Sequence, residues 1–270
     1  MAFPINIIGT DLSPIVIDDD FNVIDKQLLA EWIAIMLFGQ YGHIYMIIEN
    51  LAPMETPSNN ALIDYLLTKL NVPNDNDTLK EHRDGWLFQM ISWIALNIKL
   101  HIEYPDSTIH MVAPHDAPAK HGIDGLAMVV TSDNKIGRIV ITEDKCTTGP
   151  RNFVRDKVLP EFMEYEKHVY DNKLISELTQ FVNPATHPDL YIALSPSFAN
   201  HENWTYRIGI TRKDFHDSEK GRKGLFDGFD KAVSGNVERR KGASVNIPNL
   251  REWMQDLSDR VSGVLQSKKV

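Results

Sequence analysis

Residues 121–145 read HGIDGLAMVVTSDNKIGRIVITEDK. Two apolar runs, Leu126 to Val130 and Ile139 to Ile141, flank the turn-forming stretch Ser132-Asp133-Asn134-Lys135. This pattern predicts two strands, 125–131 and 136–142, joined as a β-hairpin. In an antiparallel pair the start of the first strand lies beside the end of the second. Asp124 therefore falls next to Glu143. Glu143 and Lys145 are two residues apart and share a face. The Asp144 side chain points away, so only its backbone carbonyl is placed to reach that face. Two carboxylates on neighbouring strands can converge on one hard cation such as Mg²⁺, which takes oxygen ligands.

Outward from the hairpin, the spacing predicts helices and further strands. Residues 26–50 begin with helical periodicity and become apolar almost all round, as in a buried helix. A Pro- and Asn-rich loop at 51–60 precedes a short helix over 61–70. Thr78 and Glu81 form a T-x-x-E capping-box pattern ahead of a helix that carries Trp86 and Trp93 on its apolar face. Strands are expected at 107–113, 189–196 and 203–211, and a helix over 151–180, kinked or restarted near Pro160. Residues 214–247 read as irregular, and Pro248 opens a last amphipathic helix to about residue 265. The expected fold is α/β, a mixed β-sheet flanked by helices. An acidic, α-helical N-terminal region (1–77) precedes the domain that holds the hairpin (78–270).

The 270 residues carry a net charge of −9, and its location matters more than its size. Residues 1–81 hold twelve Asp/Glu against three Lys/Arg, which accounts for the whole excess. Residues 207–241 are locally basic, with ten Lys/Arg against six Asp/Glu. Overall acidity therefore does not exclude a nucleic-acid partner, and a solvated basic surface explains that stretch equally well. A single cysteine, Cys146, excludes an internal disulfide and fits a reducing compartment. The start MAFPINIIGTDLSP lacks a basic segment before its apolar residues, and the apolar stretch 33–48 is short and interrupted. A soluble cytoplasmic protein with no membrane partner is expected. No G-x-x-x-x-G-K-[ST] motif is present, which argues against a P-loop nucleotide site.

Asp124 in HGIDG, followed by Glu143-Asp144-Lys145 after RIVIT, resembles the PD-(D/E)xK nuclease superfamily over roughly residues 78–195. The resemblance implies a restriction-endonuclease-like fold and metal-assisted hydrolysis of phosphodiesters. Asp124, Glu143 and the Asp144 carbonyl would bind Mg²⁺ (or Mn²⁺), and Lys145 would orient the attacking water. Glu81 is the candidate for a further carboxylate from the preceding helix, in competition with its capping role. The place of a Gln-x-x-x-Tyr on the following helix reads Glu166-Lys167-His168-Val169-Tyr170, and Ile123 stands where the motif has Pro. Arg151 and Arg155 open that helix as candidates for a backbone phosphate, or as solvated arginines. His121 is a candidate phosphate or metal contact, or a turn residue with a local hydrogen bond.

Chain size, the N-terminal extension and the His-Gly-x-Asp-Gly form around Asp124 are similar to the small nuclease subunit of Hachiman antiphage systems. That likeness implies a helicase partner, and a DNA substrate is expected, with RNA not excluded. From charge asymmetry alone, the acidic region 1–81 could dock on a basic surface of a larger motor or sensor and hold the nuclease inactive until a signal arrives. Two other readings remain open. One is a non-catalytic nucleic-acid or protein-binding module that keeps the nuclease fold. The other is a surface hairpin whose Glu143–Lys145 pair contributes little.

Overall fold

The structure is a computed structural model that describes residues 3–51, 53, 58–73, 75–120, 122–179, 188–199 and 201–270, with 195–199 described by backbone alone. The expected hairpin is its centre. Strand β4 (Gly125–Val130) runs antiparallel to β5 (Ile136–Lys145), with Gly125 opposite Thr142 and a bulge at Val129/Val130. Every residue of β4 is buried, as its unbroken apolar run requires of a strand covered on both faces. Strand β3 (Thr108–Met111) closes that edge, antiparallel to β4.

On the other side of β5 the sheet turns parallel. Strand β6 (Trp204–Arg212) pairs with β5 through Glu143↔Ile208, Asp144↔Gly209 and Lys145↔Ile210. Strand β7 (Arg240–Asn246) lies parallel to β6. The far edge comes from the N-terminus, where β1 (Ile5–Leu12) and β2 (Val16–Val23) form an antiparallel hairpin and β2 pairs parallel with β7. The seven-stranded order is β1-β2-β7-β6-β5-β4-β3. This is the predicted mixed sheet with flanking helices.

The N-terminal region departs from expectation. Helices α1 (Lys26–Leu37), α2 (Tyr41–Ile48) and α3 (Asn60–Leu70) follow the hairpin, so 1–77 is helical only in part and shares one sheet with 78–270. The sequence Val-Ile-Asp-Asp-Asp-Phe of β2 conceals a strand because aspartate is depleted from strands. Here each aspartate has a partner. Ser244 donates to Asp18 through N (3.1 Å) and Oγ (2.7 Å). Lys99 Nζ lies 2.9 Å from Asp19, and Arg212 donates to Asp20 at 2.9 Å.

One face of the sheet is covered by α1, by α4 (Asp77–Glu103) and by α11 (Leu250–Ser267). In α4 most residues from Trp86 to Leu100 are buried, so its apolar character runs all round, as a helix between sheet and helices requires. Its N-cap is Asn76, whose side chain accepts from the Leu79 N–H at 3.0 Å. The Thr78–Glu81 capping box is not formed. Trp86 and Trp93 lie in the core, with indole N–H groups donating to the carbonyls of His115 and Val112.

The opposite face is covered by the segment after β5. It comprises α5 (Pro150–Phe153), a π-turn (Val154–Val158) and α6 (Leu159–Glu166), then a break with His168 at φ +64 and α7 (Asp171–Leu178). The π-turn immediately precedes Pro160, which lacks an N–H for a regular helical ladder. Residues 189–196, expected as a strand, belong to helix α8 (Pro188–Ala199). Leu190 and Leu194, four apart, are buried, and Pro188 stands at its first position, so the helical period prevails over alternation. The stretch 214–247 holds α9 (Glu219–Leu225), α10 (Phe229–Ala232) and β7. Gly242 in β7 is required there. A Cβ would lie 2.6 Å from Asp18 Oδ1 and 2.7 Å from the Phe226 ring. Among the described residues no helix is long and apolar enough to cross a membrane.

Candidate active site

Asp124 leads into β4, and Glu143 and Lys145 end β5 on the same face. Lys145 Nζ donates to Asp124 Oδ2 at 2.7 Å and to Glu143 Oε2 at 2.9 Å. The three residues of the sequence motif therefore meet. Asp124 is fixed further by its other contacts. Its Oδ1 accepts from Gln89 Nε2 of α4 at 2.6 Å, and its Oδ2 accepts from the Asp144 N–H at 3.0 Å.

The Asp144 side chain projects to the opposite face of the sheet, as alternation predicts. Its Oδ1 accepts from Ser92 Oγ at 2.5 Å and lies 3.5 Å from Arg207, whose NH1 donates to the same hydroxyl. Burial raises the Asp144 carboxyl to about 6, against the opposing pull of Arg207. The contact of Asp144 with the Asp124 carboxylate runs through its backbone N–H.

Two groups on α6 complete the cluster. Glu161 is half-buried and hydrogen-bonds Glu143, and burial raises the phenol of Tyr165, with the nearby charges of Glu143 and Glu161 adding to the shift. Burial is the main cause of a strong rise in the Glu143 pKa, with the Asp124 charge adding to it and Lys145 opposing it. Burial likewise raises Glu161. Burial disfavours the Lys145 cation, yet the Glu143 and Asp124 carboxylates outweigh it and hold Lys145 protonated. Three carboxyl groups thus crowd one ammonium. A donor set made of oxygen, with negative charge in excess, matches a hard divalent cation better than a soft one.

The other predicted residues are placed elsewhere. Glu81 is exposed on the rim of the groove over Asp124, where Arg251 holds it at 3.0 Å. The side chain that α4 sends to Asp124 is Gln89. Glu166 faces away from the cluster, accepting from Tyr206 Oη at 2.7 Å and Arg239 NH2 at 2.5 Å. Tyr170 packs against Tyr165 with the rings tilted by 60° and their centroids 4.9 Å apart. The Glu-x-x-x-Tyr that faces Glu143 is therefore Glu161–Tyr165, five residues before the pair read from the sequence. Both pairs have the same spacing, and only burial distinguishes them. Arg151 is held by the Asp227 carbonyl at 2.9 Å, and Arg155 is exposed and paired with Asp156. His121 lies outside the described residues. His115 was not singled out by sequence, yet it lines the groove beside Asp124, and burial lowers its pKa.

Four of the ten cations in the basic stretch 207–241 are internal. Arg207, Arg212, Arg239 and Arg240 are buried, the first three beside Asp144, Asp20 and Glu166 and the last on backbone carbonyls. In comparisons with protein-family models, curated proteins and solved structures, nothing matches this chain.

Proposed function

We propose that the chain is a metal-dependent nuclease of the PD-(D/E)xK kind that hydrolyses phosphodiester bonds, with DNA as substrate. The observation that supports this most directly is the convergence of Asp124, Glu143 and Lys145, joined by Glu161 and Tyr165 from the helix that follows. Asp124 and Glu143 would hold Mg²⁺ or Mn²⁺. Such an ion, when bound, polarises a phosphoryl oxygen and lowers the pKa of a water.

The chain's own groups do the remaining work. Gln89 and the Asp144 N–H fix the two oxygens of Asp124, so its geometry is set before substrate arrives. Lys145, kept protonated by its two carboxylates, positions the attacking water and places positive charge where the phosphorane oxygens gain negative charge. Glu161 shares the proton that crowding favours on the Glu143–Glu161 pair. The wall of buried apolar residues on α6 beside Glu143 limits solvent around these groups.

A role as an antiphage effector governed by a helicase-like partner rests on the His-Gly-x-Asp-Gly resemblance. Charge supports it less than composition suggests, because Asp18, Asp19 and Asp20 are neutralised inside the fold.

The test is cleavage of plasmid DNA and of RNA by the purified chain in Mg²⁺, with and without a co-purifying partner. Cleavage should vanish in EDTA and in the Glu143→Ala and Lys145→Ala variants. Survival in either variant overturns the proposal. DNA binding without cleavage, unchanged by EDTA, selects the non-catalytic module instead.

A further inference from the structure

A second cluster of metal-ligating side chains lies apart from Asp124 and Glu143. His168 lies in the break between α6 and α7, Asp171 opens α7, and His201 lies in the short 3₁₀ turn that leads into β6. One ligand atom from each of the three falls within 4.8 Å of the others. The two imidazole rings face each other with centroids 4.0 Å apart.

Local hydrogen bonding accounts for only part of this arrangement. His168 Nδ1 and Asp171 Oδ2 are 2.8 Å apart, an ordinary i,i+3 pair. That pair leaves Asp171 Oδ1 buried without a hydrogen-bond partner among the described residues, and His201 Nε2 is buried in the same condition. Buried polar atoms without partners are few in folded proteins and call for an explanation. An unmodified donor pair of this kind, one carboxylate oxygen and one imidazole nitrogen, is what a bound cation would satisfy.

We infer that His168, Asp171 and His201 form a site for a divalent transition ion of the Zn²⁺ class. Two imidazoles and one carboxylate suit that class, whereas the oxygen-only set at Asp124 suits Mg²⁺. Glu166 lies 3.5 Å from His201 Nδ1, on the side of the ring opposite Nε2. A carboxylate there orients a ligating histidine and settles its tautomer. Trp204 stacks on the His201 ring at 4.0 Å and fixes its plane. With bonds of ~2.0–2.1 Å, tetrahedral ligands stand roughly 3.3 Å apart, so the three donors must close in by about an ångström. The exposed His168 side chain has the freedom to rotate inward. Three protein ligands leave a fourth position for water. The ion would tie the α6–α7 corner to the entry of β6, the strand that backs Glu143 in the sheet.

The experiment uses the full chain, stripped with chelator and titrated with Zn²⁺ or Co²⁺ alone. The background is Glu143→Gln, which disables the oxygen site and makes the result independent of nuclease activity. Expected are one Zn²⁺ equivalent, a Co²⁺ absorption band typical of low coordination, and a rise in Tm with Zn²⁺. Asp171→Asn and His168→Gln, added singly, should each weaken Zn²⁺ binding at least ~10-fold, the smallest loss typical of a disturbed metal shell. Unchanged circular dichroism keeps that loss from being one of folding, and His168 is exposed enough for its variant to spare the fold. Absence of Zn²⁺ uptake, or uptake indifferent to both variants, overturns the inference.

Discussion

The Asp144 carboxylate occupies the space that any side chain at residue 209 would need. The two residues are in register on β5 and β6, and a Cβ on Gly209 would lie 1.8 Å from Asp144 Oδ1. Gly209→Ala should therefore push Asp144 off Ser92 and Arg207. Asp144→Ala removes the carboxylate outright and leaves the buried Arg207 guanidinium with only the hydroxyl and carbonyl of Ser92 as hydrogen-bond acceptors, at a cost of ~3–5 kcal/mol. Urea unfolding of both variants measures this. A loss below ~1 kcal/mol for Asp144→Ala would show that the pair does not hold the sheet as described.

Glu143→Gln should abolish cleavage and yet stabilise the fold. Asp124, Glu143 and Glu161 crowd one lysine, and burial penalises the charge on Glu143 and on Glu161. Replacing one of these crowded carboxyls by a neutral isostere should contribute ~0.5–2 kcal/mol, as when a strained functional site is relaxed. Differential scanning fluorimetry should show a higher Tm for the variant without Mg²⁺. Added Mg²⁺ should raise the Tm of the parent alone. A variant that melts lower than the parent would contradict the crowding.

Tyr165→Phe and Tyr170→Phe separate the two Glu-x-x-x-Tyr pairs. The Tyr165 hydroxyl is buried without a hydrogen-bond partner among the described residues, so its removal should leave stability within ~1 kcal/mol or improve it. Cleavage should fall for Tyr165→Phe and for Glu161→Gln, and should be little changed for Tyr170→Phe. Initial rates on plasmid DNA decide, and the opposite ranking restores the pair at 166 and 170.

Stability should increase on mild acidification. Burial raises Asp18 to about 6 against an ordinary 3.8, with Asp20 adding to the shift and Ser244 and Arg222 opposing it. Asp144 is raised to a similar value. Between those limits the folded chain binds more protons than the unfolded chain, so unfolding becomes harder as pH falls. The contribution is complete below about 3.8 and is lost as pH rises through about 6. Asp18→Asn keeps an oxygen to accept from Ser244 and removes up to ~3 kcal/mol of this dependence. Urea midpoints at pH 7, 5.5 and 4.5 test it, and equal slopes in parent and variant would refute it.

The hairpin that places Asp124, Glu143 and Lys145 was legible because it obeys two local rules, alternation along a strand and register across a tight turn. Asp144 facing away followed from the same rule. What the sequence hid depends on partners distant in the chain. The three aspartates of β2 hide the strand inside a region expected to be helical, and only Ser244, Lys99 and Arg212 supply their contacts. Strand β7 read as irregular because Gly242 and two cations dominate Arg-Lys-Gly-Ala-Ser-Val-Asn, and its neighbours on both sides justify them. Gln89 carries no charge to attract notice, and only the packing of α4 over the sheet brings it to Asp124. The DLYIALSP segment satisfies both periods over eight residues, too few for alternation to decide.

The same three aspartates act differently before the sheet is complete. A ribosome delivers β1 and β2 long before Arg212, Arg222 and Ser244 exist to receive Asp18 and Asp20. Until then the hairpin has an unpaired edge, the place where nascent chains associate with one another. Three adjacent, fully hydrated negative charges keep that edge from recruiting a stray strand. Lys99 of α4 and then Arg212, Arg222 and Ser244 relieve their repulsion. The same three charges that oppose edge pairing in an incomplete sheet thus become part of the interior of the finished one.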